Sequence, residues 1–171
     1  MSRTTISLMV AMLFVGAPAT ASDIRRVVTG PDAKDSKSTA IIDSRTTLAP
    51  LATDLGAASL WVTDSYPINL SKDDTRDKSV GVSPPDNGTQ FGVVEFAPLD
   101  ADHPTPPSWH RTRTVDYVVV LSGEIDLMLE DSVVHLKAGD TVVQQATNHA
   151  WVNRGKETCR LAFVLMDARA P

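Results

Sequence analysis

The sequence predicts an all-β domain of the sandwich or small-barrel kind. From Phe91 onward, at least five short runs rich in β-branched residues recur with turns of only a few residues between them. Ser122-Gly123 and Ala138-Gly139-Asp140 fall between alternating segments, where hairpins need their turns. No long stretch keeps the 3.6-residue apolar period of a helix, and no internal repeat is visible. At 171 residues the chain suits one domain with a real core and is too short for two ordinary ones.

The elements follow in order. Residues 1–21 read as a secretory signal peptide. Arg3 supplies the positive start, Ile6 to Val15 is an apolar core too short to span a bilayer, and Ala19-Thr20-Ala21 offers a cleavage site. The expectation is an exported protein, periplasmic or secreted, with a mature start near Ser22 and no membrane span; a buried N-terminal helix is the alternative for the same pattern. Ile24 to Val28, Thr39 to Ile42 and Leu60 to Thr63 are short β-branched runs. Residues 64–88 are polar, charged and rich in Pro and Gly, a long surface excursion. Residues 22–90 are thus expected to supply N-terminal strands and a loop that complete a barrel formed by residues 91–168. Phe91 to Phe96 is a strand, and Pro98 to Pro107 a second loop.

The net charge of −5, without a basic stripe, argues against a nucleic-acid partner. Cys159, the only cysteine, cannot form an internal disulfide. It lies in a strand-like run and reads as a buried, inert thiol.

The stretch from Trp109 to Asn153, WHRTRTVDYVVVLSGEIDLMLEDSVVHLKAGDTVVQQATNHAWVN, resembles the cupin superfamily. His110 matches the first histidine of the first motif, Thr112 stands at the second, Asp116 takes the place of the usual glutamate, and Gly123 matches the turn glycine. Gly139 opens the second motif. Gln144 and Ala146 replace its proline and glycine, while His149 and Asn153 keep their spacing. The pattern looks like that of small single-domain, RmlC-like cupins found in bacteria and in fungal secondary-metabolite clusters. The resemblance implies a jelly-roll β-barrel with an N-terminal strand extension. It also implies a divalent metal (Fe, Mn, Ni or Zn) on His110, Asp116 and His149.

Alternation along a strand puts His110, Thr112, Thr114 and Asp116 on one face, and His149, Trp151 and Asn153 on one face of another. Two imidazoles and a carboxylate leave open positions on a non-haem Fe(II) or related ion. Asp116 and His149 are the candidate proton-transfer groups, and Thr112, Thr114, Trp151 and Asn153 the candidate substrate contacts. A metal-free hydrogen-bonded Asp116–His149 pair is the competing reading. Three functions stay open: a metal-assisted enzyme acting on a carbonyl or carboxylate compound (decarboxylase, dehydratase, isomerase or oxygenase), a ligand-binding or sensing cupin, and a scaffold. An N-terminal strand such as Ile24 to Val28 can pair across a two-fold axis, so a homodimer is expected.

Overall fold

The computed structural model describes residues 22–78, 81–100, 102 and 104–169. The expected signal peptide lies outside the described residues. No helix among the described residues is long and apolar enough to cross a membrane.

Among the described residues, eleven strands make three sheets. The largest has six strands in the order β3 (Ala49–Ala52), β4 (Leu55–Thr63), β5 (Thr89–Phe96), β11 (Cys159–Asp167), β6 (Thr114–Ser122) and β9 (Thr141–Gln145). The second has three, in the order β10 (His149–Val152), β7 (Glu124–Leu129) and β8 (Val133–Lys137). A separate hairpin pairs β1 (Asp23–Pro31) with β2 (Ser38–Thr47). Gly123 and Gly139 turn their hairpins at positive φ, which an L side chain adopts only at a cost.

The six- and three-stranded sheets pack face to face. Val118 and Val120 from β6 and Leu161 from β11 meet Ile125 and Leu127 from β7 and Leu136 from β8. Each such side chain contributes about 1.5–3 kcal/mol by leaving water. On β6 the burial alternates strictly, with Thr114, Asp116, Val118 and Val120 inward and Tyr117, Val119 and Leu121 outward. The hairpin covers part of the outer face, where Ile24 and Leu48 pack on Ala58, Leu60, Val93 and Ala162.

Two expectations are corrected. The sheets do not close into a barrel: β3 and β9 end one sheet, β10 and β8 the other, and the single bridge His110–His149 lies beside β10. The arrangement is an open two-sheet stack. The strand proposed to pair across a dimer axis is instead paired along its length with β2 of its own chain, from Asp23–Thr47 to Pro31–Ser38. The other edge of β1 carries no strand among the described residues.

The surface excursion is tied down at its middle. Buried Arg26 reaches from β1 to the Leu60 carbonyl oxygen at 2.9 Å and to both Asp74 oxygens at 2.8 and 2.5 Å. Arg76, which opens a single 3₁₀ turn, donates to Asp74 and to Thr46 Oγ1. Asp74 thus joins the hairpin, β4 and the long loop.

Candidate functional site

Register places a row of side chains across the inner face of the large sheet. Val62 pairs with Gln90, Gln90 with Leu165, Leu165 with Asp116, and Asp116 with Gln144. One step deeper the row is Ser59, Gly92, Phe163, Val118 and Val142, nearly all apolar. Opposite, His149 and Trp151 pair with Leu129 and Leu127 and share their inward face. The interior therefore has a polar end and an apolar end. Chemistry is confined to the first.

Asp116 is 6% exposed, and its Oδ1 has no hydrogen-bond partner. Burial pushes its carboxyl up from the ordinary value, against a hydrogen bond from Thr114 and the charges of His149 and His110. His149 is 3% exposed, and burial pushes its imidazole down. Thr112 and Thr114 join through their hydroxyls at 2.7 Å.

Gln144 lies against His149 together with Thr147. Its amide nitrogen lies 2.7 Å from His149 Nδ1, 2.9 Å from the Thr147 carbonyl and 2.6 Å from Thr147 Oγ1. Nδ1 also lies 3.0 Å from the Thr147 carbonyl oxygen, which can only accept, so both a donor and an acceptor face this ring nitrogen. Gln144→Glu replaces the amide at Nδ1 with a carboxylate, which favours the charged imidazole. The His149 midpoint is expected to rise in an NMR titration, and a downward move would show that position 144 does not act on Nδ1.

The structure separates the remaining candidates. His110 and His149 are linked by reciprocal backbone bonds of 2.9 and 3.0 Å, with ring centroids 4.3 Å apart. Strand β6 begins only at Thr114, so the alternation assumed from His110 to Asp116 does not run through one strand. His110 stands over the His149 ring and turns its Nδ1 to the Ser108 carbonyl at 3.0 Å. Trp151 meets His149 edge-on at 6.0 Å. Asn153 sits at the far end: its amide donates to the Phe96 and Glu157 carbonyls and its Oδ1 accepts from Gly155 N–H.

The metal expectation is corrected here. Among the described residues, no three His, Cys, Asp or Glu side chains gather into a group able to hold a metal ion. The strand is broken: His110 lies on an isolated bridge outside β6, which carries Asp116, and its ring is tilted 54° to that of His149. The donors present do not fit a three-ligand centre. Cys159 is fully buried, and burial with nearby Glu124 pushes its thiol up to about 11, so it is no nucleophile at neutral pH.

Sequence reasoning passed over Gln90 and undervalued Gln144. The alternation Gln90, Gly92, Val94, Phe96 carried the first signal, since it puts an amide on the face of a buried strand.

The chain is a two-sheet β protein with titratable groups inside one end. Residues 92–165 match the Cupin_2 family, described as a cupin domain, and that segment belongs to the cupin superfamily. It is similar to Oryzines biosynthesis cluster protein J of Aspergillus oryzae, 45% identical over 65 residues, 37% of this chain and 36% of that protein. It is also similar to the cupin-domain-containing oxidoreductase srdD of Neurospora crassa, 29% identical over 117 residues, 64% of this chain and 57% of that protein. Among solved structures, the cupin domain of Schizosaccharomyces pombe Cnp3 aligns with a TM-score of 0.48 at 15% identity, covering 84% of this chain and 87% of that one. The chain spans about a third of the length of the first curated relatives it matches.

Proposed function

We propose that the protein is a small-molecule enzyme that moves a proton on a carbonyl compound, in an isomerisation or dehydration. One observation carries the reading: a buried carboxylate oxygen, Asp116 Oδ1, without a partner and beside the imidazole of His149. A carboxyl whose proton affinity is raised by burial is a stronger base than an ordinary one. Asp116 Oδ1 takes the proton from the carbon next to the carbonyl. The C–H pair becomes the new C=C bond, and the carbonyl π pair moves onto oxygen. His149 Nε2–H donates to that oxygen and stabilises its charge. Return of the proton to a different carbon, or loss of a hydroxide from the next carbon, completes isomerisation or dehydration. The oxidoreductase names of the relatives support small-molecule catalysis at the level of class.

The test is solvent exchange. The protein is incubated with enolisable aryl ketones in D₂O, and deuterium entry next to the carbonyl is followed by proton NMR. Wild-type protein should accelerate entry, and Asp116→Asn and His149→Ala should each slow it by about 10²-fold or more. No acceleration by wild type, or full acceleration by Asp116→Asn, rejects the reading.

A further inference from the structure

We infer that Gln90 and Ser59 form a second, substrate-orienting half of this interior site, selecting a neutral ligand that carries a hydroxyl group at the end opposite its carbonyl. The inference rests on the proton-transfer reading for the carbonyl and on different residues for the hydroxyl. Gln90 is 6% exposed, and its Oε1 has no hydrogen-bond partner. Ser59 Oγ, buried one step deeper through the Ser59–Gly92 pairing, has none either. Buried polar atoms are ordinarily satisfied, so unsatisfied ones on a single inner face identify where a ligand supplies the missing bonds. Arg26 Nε, the other unpartnered buried atom among the described residues, belongs to the hairpin contact.

Register sets the span. Gln90 and Asp116 both pair with Leu165, from opposite sides, so their backbones lie two strands apart, about 9 to 10 Å at ordinary strand spacing. With both side chains directed inward, that suits a single aromatic ring carrying one group at each end. Phe163 and Val118, in the deeper row, give such a ring an apolar floor.

Charge sets the chemistry. Gln90 Oε1 and Asp116 Oδ1 are acceptors, and the inward strand positions of both sheets carry no Lys or Arg. A carboxylate or phosphate there would be desolvated without a counter-charge. A hydroxyl donates to Gln90 Oε1 and can accept from Ser59 Oγ–H, satisfying both atoms.

Three probes separate the cases: acetophenone, 4-hydroxyacetophenone and 4-acetylbenzoate, titrated into the whole protein by calorimetry. The wild-type protein should bind 4-hydroxyacetophenone about tenfold more tightly than acetophenone, as one added buried hydrogen bond allows, and should not bind 4-acetylbenzoate. Gln90→Met keeps the side-chain volume and should erase the preference while leaving acetophenone affinity unchanged. Ser59→Ala, smaller by one oxygen, should reduce the preference only in part, which covers the case of a Gln90→Met protein that fails to fold. Equal binding of the first two probes, tightest binding of the carboxylate, a preference that survives Gln90→Met, or no binding of any probe overturns the inference. Deuterium entry into the methyl group is read in the same samples. A preference without exchange rejects the proton-transfer reading alone, and exchange without a preference rejects the subsite alone.

Discussion

Asp74→Ala should lower the unfolding free energy by about 3 kcal/mol, near the lower end of the 3–5 kcal/mol that removing one partner of a buried ion pair costs. The pair is asymmetric: the Arg26 side chain is 5% exposed and Asp74 33%. The variant leaves a guanidinium sealed under the hairpin with only the Leu60 carbonyl and a long contact to Ser44. It also releases Arg76, whose bonds to Asp74 hold the 3₁₀ turn in place. Arg26→Met removes the charge and keeps much of the apolar stem, so it should cost less. Urea unfolding near neutral pH measures both, and an Asp74→Ala loss below about 1 kcal/mol would show the pair to be ornamental. The pH dependence has a definite sign. Hydrogen bonds from Arg26 hold the Asp74 carboxyl well below the ordinary range. Its contribution is therefore complete above the unfolded-state value near 3.9 and is lost as pH falls towards the folded-state value.

Asp116→Asn should do opposite things to activity and stability. Proton transfer falls by about 10²–10⁴-fold, the usual contribution of a positioned base. Stability at neutral pH should rise, because the native protein buries a carboxylate whose Oδ1 is unpaired. The Asp116 value is raised on folding, so its contribution to stability is fully present below the unfolded value and is lost as pH rises through the folded one. Thermal melts should thus show the variant above wild type at pH 7.5, with the gap closing or reversing near pH 3.5. A lower melting point at pH 7.5 would mean that Asp116 is a structural group whose charge the fold needs. Stability given up at a working site is a common trade.

The strands were legible because burial follows alternation. The β-branched runs from Phe91 to Phe96 and from Thr114 onward become β5 and the inward–outward series of β6. Position along a strand was less legible than existence. His110 and Asp116 have the spacing of a shared face, but a strand that starts at Thr114 cannot carry that parity back to His110. Closure was illegible, since whether two sheet edges meet depends on twist and strand length that no local pattern encodes. Gln144 was visible as a departure from a motif. Its grip on His149 required the turn that folds Thr147 under both side chains. In that turn Ala146 adopts φ 50°, a conformation that suits the glycine whose place it takes.

Gly92 has a consequence for how this molecule can change over evolutionary time. A side chain there would run into the Phe163 ring and the Ala58 backbone, so its bareness is what lets Phe163 lie flat across β5. The ring stands between the polar row and the apolar cluster, against which it packs. Substitutions on the two sides should accumulate almost independently. New substrates can then be explored at Gln90, Ser59 and Thr112 while the apolar end drifts through conservative exchanges, and a bulky residue at position 92 would end that independence.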